Sequence, residues 1–195
     1  EERRVARQPT SSLDAKEWVE IGTARPDWDE RAEAYRRAVE LDSTYAPAWA
    51  LLANAYAIGG SADPASQDSA LTFADRALQL DPEIARAYSA KGVVYFNAGQ
   101  LDRALQLFRT AGELEPGASY AWTNMGVVAD ARGHYLEALD AYRRAVRLNP
   151  LSSVSPENIV EVYLQLGLYD RARQELDRLL EIHPANLLYL SILHL

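Results

Sequence analysis

The sequence predicts an all-α protein built as a linear array of antiparallel helix hairpins. Three observations carry that prediction: a 34-residue period, apolar residues at helical spacing within each period, and Gly and Pro at fixed places between the apolar stripes. The period is visible when Tyr88-Ser-Ala-Lys-Gly92-Val-Val-Tyr95 is set against Trp122-Thr-Asn-Met-Gly126-Val-Val-Ala129. The same offset carries Gly99 to Gly133 and Gly167, Ala104 to Ala138 and Ala172, Phe108 to Tyr142 and Leu176, and Pro116 to Pro150 and Pro184.

Taken in order, residues 1–11 read as a linker and 12–195 as the array. The first copy, about 12–45, is degenerate. Trp28 stands in the column of Leu101, Tyr135 and Tyr169, Trp18 lies on the copy's first helix, and Ser43 replaces the closing proline. In the second copy, 46–84, Trp49, Ala53 and Tyr56 fall in the columns of Tyr88, Gly92 and Tyr95, but Trp49 and Tyr88 are 39 apart. The five extra residues lie within Gly59–Asp68 and predict a solvated Gly/Ser/Asp/Pro loop that lengthens the turn. From Ala70 the register is restored.

Copies 85–118 and 119–152 are regular. Trp122, Met125, Val128 and Ala129 make one buried stripe, and Tyr135, Ala138, Leu139, Tyr142 and Ala145 the next. Glycines in register mark turns where a left-handed backbone is needed. Small residues (Ala53, Gly92, Gly126; Ala104, Ala138, Ala172) recur where two helix backbones must approach, and the prolines end each second helix. In the copy at 153–186, Pro156 takes the column of Trp122. Ser155-Pro156 predicts an N-cap followed by proline at the first helical position, so that this helix starts about one turn late and Leu151–Val154 becomes connector. Residues 187–195 are apolar at seven of nine positions, with Leu190 and Leu193 in core columns. A terminal helix without a polar outer face implies that the array continues or that another chain covers it. Leu187, Leu190 and Leu193 are therefore the candidate contacts for homodimerisation.

Composition mostly excludes. Acidic residues outnumber basic ones 28 to 20, for a net charge of −8, which argues against a nucleic-acid partner. The absence of cysteine excludes disulfides, thiolate metal sites and a thiol nucleophile. No apolar run approaches the ~18 residues of a membrane span. The chain starts at Glu1 rather than Met, which leads us to expect a segment of a longer protein. A cytoplasmic location is expected, with an extracytoplasmic segment of a membrane-anchored bacterial protein as the alternative.

No catalytic constellation, metal site or cofactor motif is expected. The histidines are His134, His183 and His194. His134-x-x-Glu137 has metal-ligand spacing, but it aligns with Gln100-x-x-Arg103, so it reads as turn chemistry; His183 suits a helix end. Carboxylate pairs such as Asp27/Asp29 and Glu113/Glu115 lie at predicted helix ends. The four tryptophans all fall at structural columns or on a helix stripe.

The sequence resembles the tetratricopeptide repeat family. The resemblance is carried by an aromatic residue, three residues, Gly or Ala, two residues, then Tyr; by Gly-x-Tyr/Leu; by Ala-x3-Tyr/Phe-x2-Ala; and by a closing Leu-Asp/Glu/Asn-Pro. It covers about nine-tenths of the chain. It implies a right-handed superhelical α-solenoid that binds a partner peptide in a concave groove lined by the first helix of each hairpin, with no catalytic activity. Carried over by register, the groove residues are Asn54; Arg86, Ser89, Phe96 and Asn97; Tyr120, Thr123, Asn124, Val127 and Asp130; and Asn158 and Glu161. The acidic charge adds a mild expectation of basic peptides. A chaperone-binding subclass of the family clamps a terminal carboxylate with two Lys, two Asn and an Arg. The corresponding places here read Ala50, Asn54, Leu51 or Ala90, Tyr120 and Asn124, so chaperone tails are not expected as ligands. The stretch Arg7–Ala15 is similar to the segment that joins such arrays to bacterial signalling proteins with a kinase, nucleotide-cyclase or winged-helix output domain. That similarity implies the alternative function, a homo-oligomerising or regulatory segment of such a protein.

Overall fold

The structure is a computed structural model that describes residues 14–182, and within them all regular structure is α-helical. The chain forms two compact units, one up to Val94 and one from Tyr95 onward; the division falls within α5.

The first unit contains α1 (Ala15–Ala24), α2 (Trp28–Leu41), α3 (Ala46–Gly59), α4 (Pro64–Leu80) and the first part of α5 (Ala85–Asn97). Side-chain caps start three of these helices. Asp14 accepts from the amides of Lys16 and Glu17 while Glu17 accepts from the Asp14 amide, Asp27 caps α2, and Asp63 caps α4. Asp27, which the sequence placed at a helix end, is thus a capping carboxylate. The packing between α3, α4 and α5 is built from alanine: Ala50, Ala53, Ala74, Ala77, Ala87 and Ala90 are fully enclosed. Side chains this small let the helices approach closely. Aromatic groups fill the wider gaps, with Phe73 against Trp49 (5.8 Å between centroids) and edge-on to Tyr56 (5.2 Å).

The second unit contains the end of α5, α6 (Leu101–Leu114), α7 (Ser119–Ala131), α8 (Tyr135–Leu148), α9 (Val154–Gln165) and α10 (Tyr169–Ile182). Its core joins Tyr142 and Leu139 of α8, Ile159, Val160 and Val162 of α9, and Leu176 and Leu179 of α10. The helices of each pair are linked by three-residue turns closed by Gly99, Gly133 and Gly167, with φ of 72°, 74° and 69°. At the α7–α8 turn the His134 amide reaches back to the Ala129 carbonyl at 2.9 Å, the bond that a left-handed residue makes possible. Gly133→Ala should therefore cost about 1 kcal/mol. Gly117→Ala should not, because nothing lies near a Cβ there and its φ is not left-handed. Urea unfolding of both variants checks the contrast.

Two sequence expectations need correction. The five extra residues of the second copy do not make a long loop. One extends α3 beyond the length of α7, one lengthens the turn, and three are taken up by α4, which is 17 residues long where α6 and α8 have 14. Asp63 and Pro64 supply a cap and a first-turn proline, so added residues cost less as helix than as loop. The second correction concerns α9. It begins at Val154, only one residue later than its period requires, and Ser155 is not its N-cap. Pro156 sits at the third helical position, within the first turn, where an amide has no helical acceptor in any case. The first helical hydrogen bond starts at the next residue, from the Glu157 amide to the Ser153 carbonyl at 2.9 Å.

Residues 1–13, including most of the expected linker, and 183–195, including His183, His194, Leu187, Leu190 and Leu193, lie outside the described residues. Among the described residues no helix is long and apolar enough to cross a membrane.

Candidate partner-binding faces

The residues assigned to the groove divide between the two units. In the first, Asn54 lies on α3 and Arg86 and Ser89 on α5. Asn54 and Arg86 are half-buried, but Ser89 is 1% exposed, which withdraws it from any surface a partner could reach. Register carried over from the family resemblance placed it on the outer side. The neighbouring helix packing encloses a side chain as short as serine where a longer one would emerge.

In the second unit, Phe96 and Asn97 end α5. Tyr120, Thr123, Asn124, Val127 and Asp130 lie along α7, and Asn158 and Glu161 along α9. Helices α7 and α9 touch directly, although α8 separates them in sequence. The hydroxyls of Thr123 and Ser155 bond across that contact at 2.7 Å, and Thr123 also donates to the Ser119 carbonyl at 3.1 Å. Ser155 occupies the column of Ala121, Ala87 and Ala48, so the hydroxyl fits where the other copies have a methyl group. The Tyr120 hydroxyl donates to Glu115 at 2.7 Å, which ties this residue to the turn before its own helix.

Further along α7, Asp130 feels the charge of Glu161 on α9. Oδ1 of Asp130 is buried and has no hydrogen-bond partner. Burial, and then the charge of Glu161, hold the Asp130 carboxyl above the ordinary carboxylate value. Tyr142 of α8 is enclosed beside them. Its phenol is pushed well above the usual tyrosine range by burial first and by the two carboxylates second. The ring packs against α7 at Gly126, where a Cβ would stand 2.5 Å from the Tyr142 Cε1 atom. His134, by contrast, starts α8 with Nδ1 3.7 Å from Glu137 on an exposed surface. Among the described residues no group of three or more potential metal ligands forms.

Family models named for the tetratricopeptide repeat match residues 73–106, 97–153 and 131–193. The chain belongs to the tetratricopeptide repeat family. No curated protein matches it in sequence. Among solved structures, it is similar to a thermophilic tetratricopeptide repeat protein from Thermus thermophilus, with 20% identity over 93% of this chain and 100% of that one and a TM-score of 0.77. Pseudomonas aeruginosa pilF is similar over 91% and 80% of the two chains, at 21% identity and a TM-score of 0.64. YrrB, described as a tetratricopeptide repeat protein with an unusual peptide-binding site, is similar over 93% and 89%, at 22% identity and 0.59. At these identities the likeness establishes the fold alone.

Within this tetratricopeptide repeat chain the structure reveals a contact that column reading missed. Arg36 of α2 donates to the Tyr56 hydroxyl of α3 at 2.6 Å, and Arg143 of α8 donates to the Tyr163 hydroxyl of α9 at 2.8 Å. Both pairs join the second helix of one hairpin to the first helix of the next at the same sequence separation. The Arg and Tyr columns were each visible in the sequence, and reading them against each other across the hairpin boundary would have found the pair. Arg36 also meets Glu33, and together these contacts hold its guanidinium above the ordinary arginine value, the Tyr56 hydrogen bond first.

Proposed function

We propose that the chain is a non-catalytic interaction scaffold that binds a peptide segment of a partner protein along the first helices of its hairpins. The face formed by α7 and α9 is the principal contact surface. The observation that carries this reading is the direct packing of α7 on α9. A peptide bound there would meet Thr123, Asn124, Val127 and Asp130 of α7 and Asn158 and Glu161 of α9, amide, apolar and acidic groups suited to an extended chain. The first unit contributes Asn54 and Arg86 on its own first-helix face. The likeness to YrrB is consistent with peptide binding.

The test is selection of random 15-residue peptides displayed against the whole chain, followed by hydrogen exchange with the best binder. Slowed exchange in α7 and α9, with α6, α8 and α10 unchanged, is the expected result. Protection confined to the second helices, or selection that yields no binder, overturns the proposal.

A further inference from the structure

We propose that the first unit holds a small-molecule site, a cavity between α2 and α3 that takes an organic acid with an apolar body and one carboxylate. The site belongs to the first unit alone, so it stands or falls independently of peptide binding by α7 and α9.

The cavity has a volume of about 530 Å³, within the range of small-ligand pockets. Its floor is apolar, with Ala32 of α2 and Ala55 of α3 both buried. Two links between the helices bound it. At one end Arg36 donates to the Tyr56 hydroxyl at 2.6 Å. At the other Trp28 lies against Gly59, where a Cβ would stand 2.8 Å from the Trp28 Cβ atom. Gly60 and Ser66, from the stretch with the extra residues, complete the wall. The counterpart of this corner in the second unit is built differently. There the columns of Trp28 and Gly59 hold Leu101 and Arg132, and Arg132 crosses to Asp102 at 2.5 Å. Gly59 has no side chain to cross with, so the space beside Trp28 stays open.

The polar groups select the ligand. Arg36 is half-buried and held on two sides, by the Tyr56 hydroxyl and by Glu33. Glu33 is shared with Arg37 at 3.2 Å, and Arg37 also meets Glu40, so Arg36 has only part of one carboxylate. Those two bonds leave further guanidinium N–H groups for a ligand. A carboxylate accepts paired bonds from such a fork, while the alanine floor and the Trp28 indole take an apolar body. Arg31 lies over the indole at 4.4 Å and fixes that wall. Asp29 also lines the cavity, about two turns of α2 away from Arg36. It is exposed and lies in the first turn of α2, where the helix dipole already favours its charge. Asp29 therefore turns an anion toward Arg36 rather than calling for a cation of its own. The links at both ends obstruct a main chain running along the helices, which favours a discrete molecule over a passing peptide.

Titration of the whole chain with phenylpropionate, phenylpropanol and phenylpropylamine, followed by nuclear magnetic resonance, tests this. The expected result is saturable movement of the Trp28 indole and of the Tyr56, Gly60 and Ser66 amide signals with phenylpropionate, at a Kd of about 1 mM or tighter. The alcohol and the amine should each bind about tenfold more weakly or worse. Arg36→Gln should erase the preference for the acid. Tyr56→Phe, which frees Arg36 without removing it, should cost the acid a smaller part of its affinity. Trp28→Leu, which copies the residue Leu101 provides in the same column, should weaken all three probes while keeping the helical circular dichroism. No saturable movement up to about 10 mM phenylpropionate overturns the proposal. So does an amine or alcohol that binds as tightly as the acid, or an acid preference that survives Arg36→Gln. None of these results bears on peptide binding by α7 and α9.

Discussion

Gly126→Val is expected to destabilise the protein by about 3 kcal/mol or more, and Tyr142→Leu made alongside it is expected to restore much of that loss. A Cβ on residue 126 would stand 2.5 Å from Cε1 and 2.6 Å from Cδ1 of Tyr142, and the branched side chain of valine needs still more room. The ring cannot swing aside, because Tyr142 is 1% exposed within the core that joins α8, α9 and α10. The small gain in helix propensity on leaving glycine, at most about 1 kcal/mol, does not offset such a clash. One hairpin later the same two columns hold Val160 and Leu176, both buried in that core. There the larger residue on the first helix is matched by a smaller one on the second. The double variant copies that solution, so the two changes should be strongly coupled, by about 2 kcal/mol in a four-protein urea cycle. Losses that simply add would show that the glycine serves something other than the ring.

The columns that were legible in the sequence were those sampled several times. Turn glycines, helix starts at Leu101, Tyr135 and Tyr169, and the small residues Gly92 and Gly126 each recur at one offset, so tertiary packing is written as repetition. What the sequence hid were the local departures, each decided by an energetic competition that one copy cannot display. Extra residues near Gly59 became helix because Asp63 and Pro64 offer a ready start. Ser155 reads as a cap by type, yet its hydroxyl finds Thr123 on another helix instead. In the degenerate first copy, Gly22 rather than Val19 meets Tyr35, with a hypothetical Cβ 2.6 Å from its Cε1 atom. Gly22 and Tyr35 are three residues closer in sequence than Gly126 and Tyr142, a deletion that column alignment at a fixed period passes over. Of the candidate contact strip, position along the helices was readable from register. Enclosure was not: the burial of Ser89 and of the Asp130 oxygen depends on neighbours that only the folded chain supplies.

Asp130→Asn is expected to make the protein more stable at neutral pH, by roughly 0.5–1 kcal/mol. Folding raises the Asp130 carboxyl above its ordinary 3.8, through burial first and Glu161 second, so the folded state binds that proton more tightly than the unfolded one. A group raised in this way contributes its stability below the unfolded value and loses it as pH climbs through the folded value. At pH 7 the ionised side chain is therefore a liability, and the uncharged amide removes it. The advantage of the variant should shrink as pH falls through the raised folded value, where the wild-type carboxyl takes up its proton. Glu161→Gln should reduce the same advantage at neutral pH, because it removes the second cause of the shift. Urea unfolding of the four combinations between pH 4 and pH 7 reads all of this. A variant less stable than wild type at pH 7 would mean that the carboxylate already has a donor inside the protein.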